Sequence, residues 1–259
     1  MSYGLLLRLT WAAGPAGIAA IHAAIPWALL QPTTAAAIAW GVGLYGLRML
    51  AITTTLHRLL AHRSYQAPRW WGRLGALLAT SSGQMGPVWW VAHHRRHHRI
   101  ADQPGDPHSP VPQGFWHAQA GWLLTPQFWP SGAAPRDIKS DLFLAALDWV
   151  HWLPFWGLAA ASWWLGGAAW LAAWAISSVA LFHAVALVNS AAHLWGTGGP
   201  IGRANWWVAL LTLGEGWHDH HHQNPGSPLA GHWFDPSGWL LQAAAGLGII
   251  RLPSLEVKP

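Results

Sequence analysis

Long uncharged stretches, rather than short amphipathic periods, dominate the hydrophobic pattern of this chain. Residues 11–30 carry no formal charge, and twenty residues of helix at about 1.5 Å per residue cross the roughly 30 Å hydrocarbon core of a bilayer. Similar stretches follow at 35–56, 142–165 and 170–190, joined in pairs by short turns at 31–33 and 166–167. The pattern predicts four membrane-spanning helices arranged as two hairpins.

Two shorter helical patterns lie outside these stretches. Residues 69–78 place tryptophan and leucine at helical spacing beside two arginines, which predicts an interfacial helix lying on the membrane. Residues 237–250 are apolar but too short to span, so we expect a packed helix there. The sequence therefore predicts one all-α integral membrane domain over 1–259, with a cytoplasmic helical cap formed by 57–139 and 191–259.

Charge placement orients this arrangement. Only 9% of the residues are charged and 53% are hydrophobic, which excludes an ordinary soluble protein. Residues 57–139 hold nine of the 14 lysines and arginines, whereas the hairpin tips are uncharged, so the positive-inside tendency places this segment and both termini in the cytoplasm. No cleavable signal peptide is expected. We expect a multi-pass protein of the bacterial cytoplasmic membrane.

Two charges interrupt the apolar stretches, Arg48 in the second and Asp148 in the third. A charge in hydrocarbon is costly, and such residues usually find a partner in the interior of the bundle. One prediction is that Arg48 and Asp148 pair across the two helices or share a polar pocket. The alternative is that each extends separately to the cytoplasmic interface.

Histidine carries the candidate chemistry. The chain has 17 histidines and no cysteine, so thiolate-held zinc and iron–sulfur clusters are excluded. Nine histidines stand at spacings compatible with metal ligation, and imidazole suits iron, zinc, copper or nickel. These candidates are His57, His62, His94, His97, His98, His193, His218, His221 and His222.

The spacing within each cluster indicates how these ligands are presented. Two HxxHH motifs begin at His94 and His218, and each presents three imidazoles from one face of a helix as a metal half-site. His57 and His62 are five residues apart, roughly 140° around an α-helix, so they would serve different metals or need a distorted helix end. The set predicts a dinuclear site.

Three further residues belong to the same motifs. His93 points away from the side of its helix that carries His98, and His220 lies opposite His218, so neither is assigned as a ligand. Asn189 precedes His193 by one helical turn and is expected to hold a metal-bound water.

Four motifs give the chain a specific resemblance to a known family. They are HRLLAH at 57–62, HHRRHH at 93–98, NSAAHLWG at 189–196 and GEGWHDHHHQNP at 214–225, and the stretch DPHSPVPQGFWHAQAGWLL strengthens the match. In order and separation they resemble the membrane fatty acid desaturases, in particular the acyl-CoA (stearoyl-type) branch. The resemblance covers about 40–125 and 185–250.

The resemblance implies a cofactor, a reaction and partners. It implies two iron ions held by the nine histidines, with Asn189 acting through water and no catalytic residue beyond the ligands. Dioxygen and two electrons would remove two hydrogens from a fatty acyl chain and leave a cis double bond. The expected partners are the lipid bilayer and an external electron donor such as a ferredoxin, a rubredoxin or a b-type cytochrome. No nucleic acid is expected.

The acyl carrier is left open at this stage. Animal relatives grip coenzyme A with basic residues after the DPH motif, and the corresponding residues 109–114 and 125–127 carry no basic residue here. Acyl-CoA, acyl carrier protein and an intact acyl-lipid therefore remain alternatives. Arg95, Arg96 and Arg99 are candidates for contacting an anionic head group, or they form a cytoplasmic rim near anionic lipid.

Two other functions compete with desaturation. A related diiron membrane hydroxylase of acyl chains, alkanes or carotenoids would share the histidine motifs but insert oxygen. A histidine-rich metal transporter or sensor would instead place ionisable residues along a spanning path.

Overall fold

The structure is a computed structural model that describes residues 3–129 and 134–253, with side chains from residue 9 onward. The described residues form an all-helical protein whose loops contain three isolated β-bridges. A π-helix covers Ile52–Ala61, and two 3₁₀ turns cover Gly121–Leu124 and Pro126–Phe128. The α-helices are α1 (Tyr3–Leu29), α2 (Ala35–Ala51), α3 (Arg69–Thr80), α4 (Pro87–Ile100), α5 (Pro110–Gln113), α6 (Phe115–Gln119), α7 (Arg136–Lys139), α8 (Leu142–Trp149), α9 (Trp152–Asn189), α10 (Ala191–Leu194), α11 (Trp206–Thr212), α12 (His218–Gln223) and α13 (Pro236–Gly246).

Within the described ranges, three helices are long and apolar enough to cross a membrane, where the sequence predicted four. The third reverses direction at Gly167, whose φ of 62° and ψ of −148° are not helical. The rings of Phe155 and Trp174 lie 4.9 Å apart, whereas nineteen residues of straight helix would separate them by about 28 Å. The long α9 is therefore a hairpin of two arms. The three candidate spans are Leu9–Leu29, Ala35–Ala61 and Trp152–Leu194.

The predicted third span, 142–165, is not one helix. The structure divides it into α8 and α9, and the break falls at Val150, whose φ of −110° and ψ of 28° end α8. Pro154 explains the break, because a proline ring clashes with the carbonyl four residues earlier and is tolerated in the first turn of a helix. Hydrophobicity alone does not reveal this boundary.

The predicted pairing of Arg48 with Asp148 is wrong, and so is the alternative that both reach the interface. Arg48 is 1% exposed and donates to the hydroxyls of Ser178 at 2.8 Å and Ser177 at 2.7 Å. Asp148 is also buried, and its Oδ1 accepts from the backbone N–H of Trp89 at 2.9 Å. Each buried group is thus hydrogen-bonded to neighbours other than the second charge, and Asp148 caps the first turn of α4.

The remaining helices hold the π-helix in place. A helix, α3, forms where the sequence predicted an interfacial helix, and Gly75 of α3 brings its backbone directly against Thr55 of the π-helix. The predicted C-terminal helix forms as α13, where the hydroxyl of Ser237 lies 2.7 Å from that of Thr53. Helices α3 and α13 therefore contact the end of the second candidate span from two sides, next to the predicted ligands His57 and His62.

Candidate metal centre

The π-helix decides where the first two candidate ligands point. Its i→i+5 winding appears in the backbone hydrogen bond from the N–H of His62 to the carbonyl of His57, at 3.1 Å. This winding brings residues five apart onto one face, and the two imidazole rings lie 5.0 Å apart. Of the two alternatives predicted, the distorted helix end is the one that occurs, and both histidines join the same group.

The two HxxHH motifs are divided between two groups, so the expectation that each forms a half-site for itself needs correction. Residues i and i+4 of a helix are about 40° apart, whereas i+3 lies about 60° to the other side of i. His94 and His98 accordingly turn to one group and His97 to the other. Helix α12 divides in the same way, with His221 separated from its two neighbours in the motif.

All nine predicted histidines lie in two adjacent groups. Within each group the ligating nitrogens lie within 4.8 Å of one another. Nearest Nε2 atoms are 2.7–3.0 Å apart in the first group and 2.9–3.3 Å apart in the second. The first group consists of His57, His62, His94, His98 and His221, and the second of His97, His193, His218 and His222.

These separations suit a common metal. Two imidazole nitrogens each about 2.1 Å from one ion lie about 3.0 Å apart in octahedral geometry and about 3.4 Å apart in tetrahedral geometry. Burial and repulsion from neighbouring histidines hold the pKa of His94, His218 and His221 well below the usual range. Their rings are therefore neutral, which is the form that binds metals. The residues present fit two metal ions.

Three carboxylates orient rings from outside the groups. The Nε2 of His57 faces the other histidines of the first group, so its Nδ1 carries the hydrogen and donates to Glu215 at 2.6 Å. In the second group, His97 donates to Asp106 at 2.8 Å and His193 donates to Asp102 at 3.0 Å. Metal-binding histidines characteristically use their second nitrogen in this way, which fixes the tautomer and the ring orientation.

Glu215 is itself held by a buried arginine. Arg58, one residue after His57, donates to Glu215 at 3.0 Å and to Asp235 at 2.8 Å. Burial acts to raise the pKa of Glu215, but the charges and hydrogen bonds of His57 and Arg58 outweigh it and lower the pKa to about 2. Because Asp235 also caps α13, this network connects the π-helix, the first group and the C-terminal helix.

The two histidines left out of the ligand set lie outside both groups. His93 stacks on Trp89 with ring centroids 3.9 Å apart, and its Nδ1 bonds to the Trp89 carbonyl at 2.9 Å. His220 packs against the backbone of Gly231. Asn189, the predicted holder of a metal-bound water, lines a cavity together with ligands of both groups.

The three arginines of the second motif have different surroundings. Arg95 forms a bidentate pair with Asp137 at 2.8 and 2.9 Å, and it also donates to the carbonyls of Leu60 and Ala61 at the end of the π-helix. Arg96 donates to the Gly105 carbonyl at 2.8 Å. Arg99 is exposed. Arg95 is therefore engaged in holding the cap together.

Sequence reasoning missed Glu215, Asp102 and Asp106. Each of these acidic residues lies within eight residues of a predicted histidine ligand, which is the one signal that could have indicated them. In two cases the histidine that the carboxylate binds comes from a distant part of the chain: Glu215 contacts His57, and Asp102 contacts His193. Only the tertiary structure brings these pairs together.

The described residues thus form an all-helical protein with membrane-capable helices and two histidine groups that could each hold a metal ion. Residues 32–233 match the fatty acid desaturase family, and the chain belongs to that family.

Relatives in Arabidopsis thaliana agree with this assignment. The Delta-9 desaturase-like 5 protein is 34% identical over 84% of this chain and 78% of its own length. The chloroplastic palmitoyl-monogalactosyldiacylglycerol delta-7 desaturase is 33% identical over 86% of this chain and 64% of its own length. The Delta-9 acyl-lipid desaturase 2 is 34% identical over 69% of this chain and 61% of its own length. The chain is therefore a fatty acid desaturase, an oxidoreductase of lipid metabolism, of the acyl-lipid or acyl-CoA type.

Proposed function

We propose that this chain is an oxygen-dependent desaturase in which the nine clustered histidines hold two iron ions. The observation that carries the proposal is the convergence of nine Nε2-bearing rings into adjacent groups of five and four. The nine histidines, with Asn189 acting through water, would hold the two ions, and nine nitrogens for two ions, about 4.5 each, would be fewer than the six ligands that iron can accept. Iron bound there would supply oxygen activation, with two electrons and dioxygen used to remove two hydrogens from an acyl chain.

The protein supplies orientation and a dry reaction space. Glu215, Asp102 and Asp106 keep their histidines in the tautomer that directs Nε2 inward. A cavity bordered by ligands of both groups is also lined by Met49 and Val188. Such walls exclude water, which would otherwise divert the oxidant from the acyl chain.

We further propose the topology and the partners. Each arm of the α9 hairpin crosses the membrane beside the first two helices, and the cap lies on the cytoplasmic side, as the basic segment 57–139 supports. The three relatives named above are plant proteins, and a bacterial cytoplasmic membrane is our proposal from the sequence. Two relatives are named for lipid-linked substrates, which favours an acyl-lipid here. Electrons come from a separate carrier protein of the ferredoxin, rubredoxin or b-type cytochrome kind.

Gas chromatography with mass spectrometry of host lipids tests this function. The chain is expressed together with a ferredoxin and its reductase, and the fatty acids are compared with those of a host carrying an empty vector. New cis-unsaturated chains are expected. New hydroxylated chains would favour the rival hydroxylase, and an unchanged profile with the donor present would refute the proposal.

Neighbouring histidines of α12 provide a matched pair of variants for the ligand assignment. His221→Ala removes a ligand of the first group and should abolish turnover, as should His94→Ala and His193→Ala. His220→Ala changes the adjacent residue, which lies outside both groups, and should retain activity. Elemental analysis of purified protein should give two metals per chain for the wild type and for His220→Ala. Full activity with one metal would refute the dinuclear assignment.

A further inference from the structure

Helix α11 exposes an apolar face, although it belongs to the segment 191–259 that the sequence assigned to the cytoplasmic cap. Trp206 is 69% exposed, and Leu210, one turn later on the same side, is 54% exposed. Val208 and Thr212 lie on the opposite side of the helix and are fully buried. Exposed apolar residues gathered on one side of a helix mark a surface that contacts something other than water.

A hydrogen bond fixes where α11 lies along the second candidate span. The hydroxyl of Tyr45 donates to the backbone carbonyl of Leu211 at 2.7 Å. Tyr45 lies ten residues after the start of the span Ala35–Ala61, about 15 Å along its axis. It lies twelve residues before His57. The C-terminal end of α11 is therefore beside the middle of this span and not at the end that carries the histidines.

The chain turns back directly after α11. Leu213 ends the helix in the left-handed conformation, with a φ of 56°. Its carbonyl accepts from the backbone N–H of Ser237 at 3.2 Å and from the Ser237 hydroxyl at 2.9 Å. Two residues later the chain reaches Glu215, which contacts His57. Residues 206–215 thus run along the flank of the span and return to the first histidine group.

The backbone at this turn is paired as a lipid environment requires. The last four carbonyls of a helix have no partner within the helix, and hydrocarbon offers none. Here a tyrosine hydroxyl from α2 pairs with the Leu211 carbonyl, and Ser237 from α13 pairs with the Leu213 carbonyl. Side chains of two other helices thus take the place that water takes at an exposed helix end.

We infer that α11 is a re-entrant helix, immersed from the cytoplasmic side in the acyl-chain region of the bilayer, with its Trp206 end nearer the head groups. The apolar face is continuous with that of the candidate span, where Val42, one turn before Tyr45, is 67% exposed. This continuity identifies lipid as the partner. The inference rests on the proposed topology, in which that span crosses the membrane. The bilayer then helps to position Glu215 and α12, which follow α11 directly.

A fluorescence depth measurement tests the immersion. The chain contains no cysteine, so each single-cysteine variant takes one environment-sensitive NBD label. Leu210→Cys probes α11, Val42→Cys is the lipid reference, and Gln103→Cys in the exposed loop after α4 is the water reference. The full chain is reconstituted in nanodiscs whose phosphatidylcholine carries a nitroxide at one of two depths. The Leu210→Cys label should lie at least about 5 Å below the head-group boundary. It should be shielded from aqueous iodide as the Val42→Cys label is.

The two reference labels separate failure of the inference from failure of the topology. A Leu210→Cys label that is open to iodide, beside a shielded Val42→Cys label, would overturn the inference and leave the spanning arrangement intact. A Val42→Cys label as open to iodide as the Gln103→Cys label would refute the span itself, and the immersion of α11 with it.

Tyr45→Phe tests the hydrogen bond that holds α11 on the span. The variant keeps the ring but removes the donor to the Leu211 carbonyl. Amide exchange over residues 206–214 in nanodiscs should become about 2–12-fold faster, the effect of losing one hydrogen bond. Thr33→Val removes a hydroxyl near the other end of α2 and should leave this exchange unchanged. Equal exchange in wild type and Tyr45→Phe would overturn the anchoring of α11 on the span.

Discussion

Glu215 offers a sharp test of how the cap controls the first histidine group. Glu215→Gln keeps the size of the side chain and a carbonyl oxygen that can accept from the Nδ1–H of His57. It removes the negative charge that lies 2.6 Å from that nitrogen and 3.0 Å from Arg58. Arg58 keeps its second carboxylate, Asp235, so the fold should survive the change.

The expected loss follows from the geometry of this contact. Both side chains are less than 10% exposed, so water does not screen the charge or replace the hydrogen bond. A hydrogen bond to a charged group contributes about 1.5–3 kcal/mol, and removal of an outer carboxylate typically reduces metal affinity about 10–100-fold. Each tenfold change corresponds to about 1.4 kcal/mol, so the two figures agree.

Chelator competition measures this loss. Iron-loaded protein is titrated with a ferrous chelator, and retained iron is counted by elemental analysis. Glu215→Gln should release its iron at about 10–100-fold lower chelator concentration than wild type. Asp219→Asn serves as the control, because it removes a carboxylate next to His218 in the sequence that belongs to neither group. Iron retention equal to wild type would refute the role assigned to Glu215.

Three further predictions concern stability. Gly75→Ala places a methyl group against Thr55 and should cost about 1–3 kcal/mol, a fall of roughly 2–12 °C in Tm by differential scanning fluorimetry. Gly46→Ala, with open space around it, should leave Tm unchanged or higher. Hydrogen bonds from Arg95 hold the pKa of Asp137 below its usual range, so that pair stabilises the fold above about pH 4 and loses its effect as the pH falls further. Asp137→Asn should therefore lower Tm by about 2–4 °C at pH 7 and by less at pH 3.5, and an equal difference at both would contradict this. Chelation of both metals should lower Tm by about 16–32 °C if each ion contributes near 4 kcal/mol at 1,000 times its Kd, whereas an unchanged Tm would count against a metal linked to folding.

The histidine groups could be predicted because their spacing is local. One turn of helix brings His94 and His98 together wherever the helix lies, and the same is true of His218 and His222. The outer carboxylates could not be predicted in this way. The distance between Glu215 and His57 depends on how the turn before α12 packs against the π-helix, which no pattern of nearby residues encodes.

The fold was predictable where hydrophobicity was the controlling factor. The length of the apolar stretches predicted α1 and α2, and the glycine pair at 166–167 predicted the reversal within α9. Two features required other physics. Pro154 sets the end of α8 by a steric clash, and the π-helix adds a residue per turn that neither composition nor periodicity reveals.

The division of both HxxHH motifs has a consequence for how the centre is assembled. Helix α4 and helix α12 each contribute ligands to both groups, so an ion that fixes either helix also positions ligands for the second ion. Binding of the first ion therefore includes the entropic cost of ordering both helices, whereas the second ion binds to a site that is already formed. Loading should be cooperative, with chains holding either no metal or two and few holding one. Partial metal supply would then produce a mixture of empty and complete enzymes.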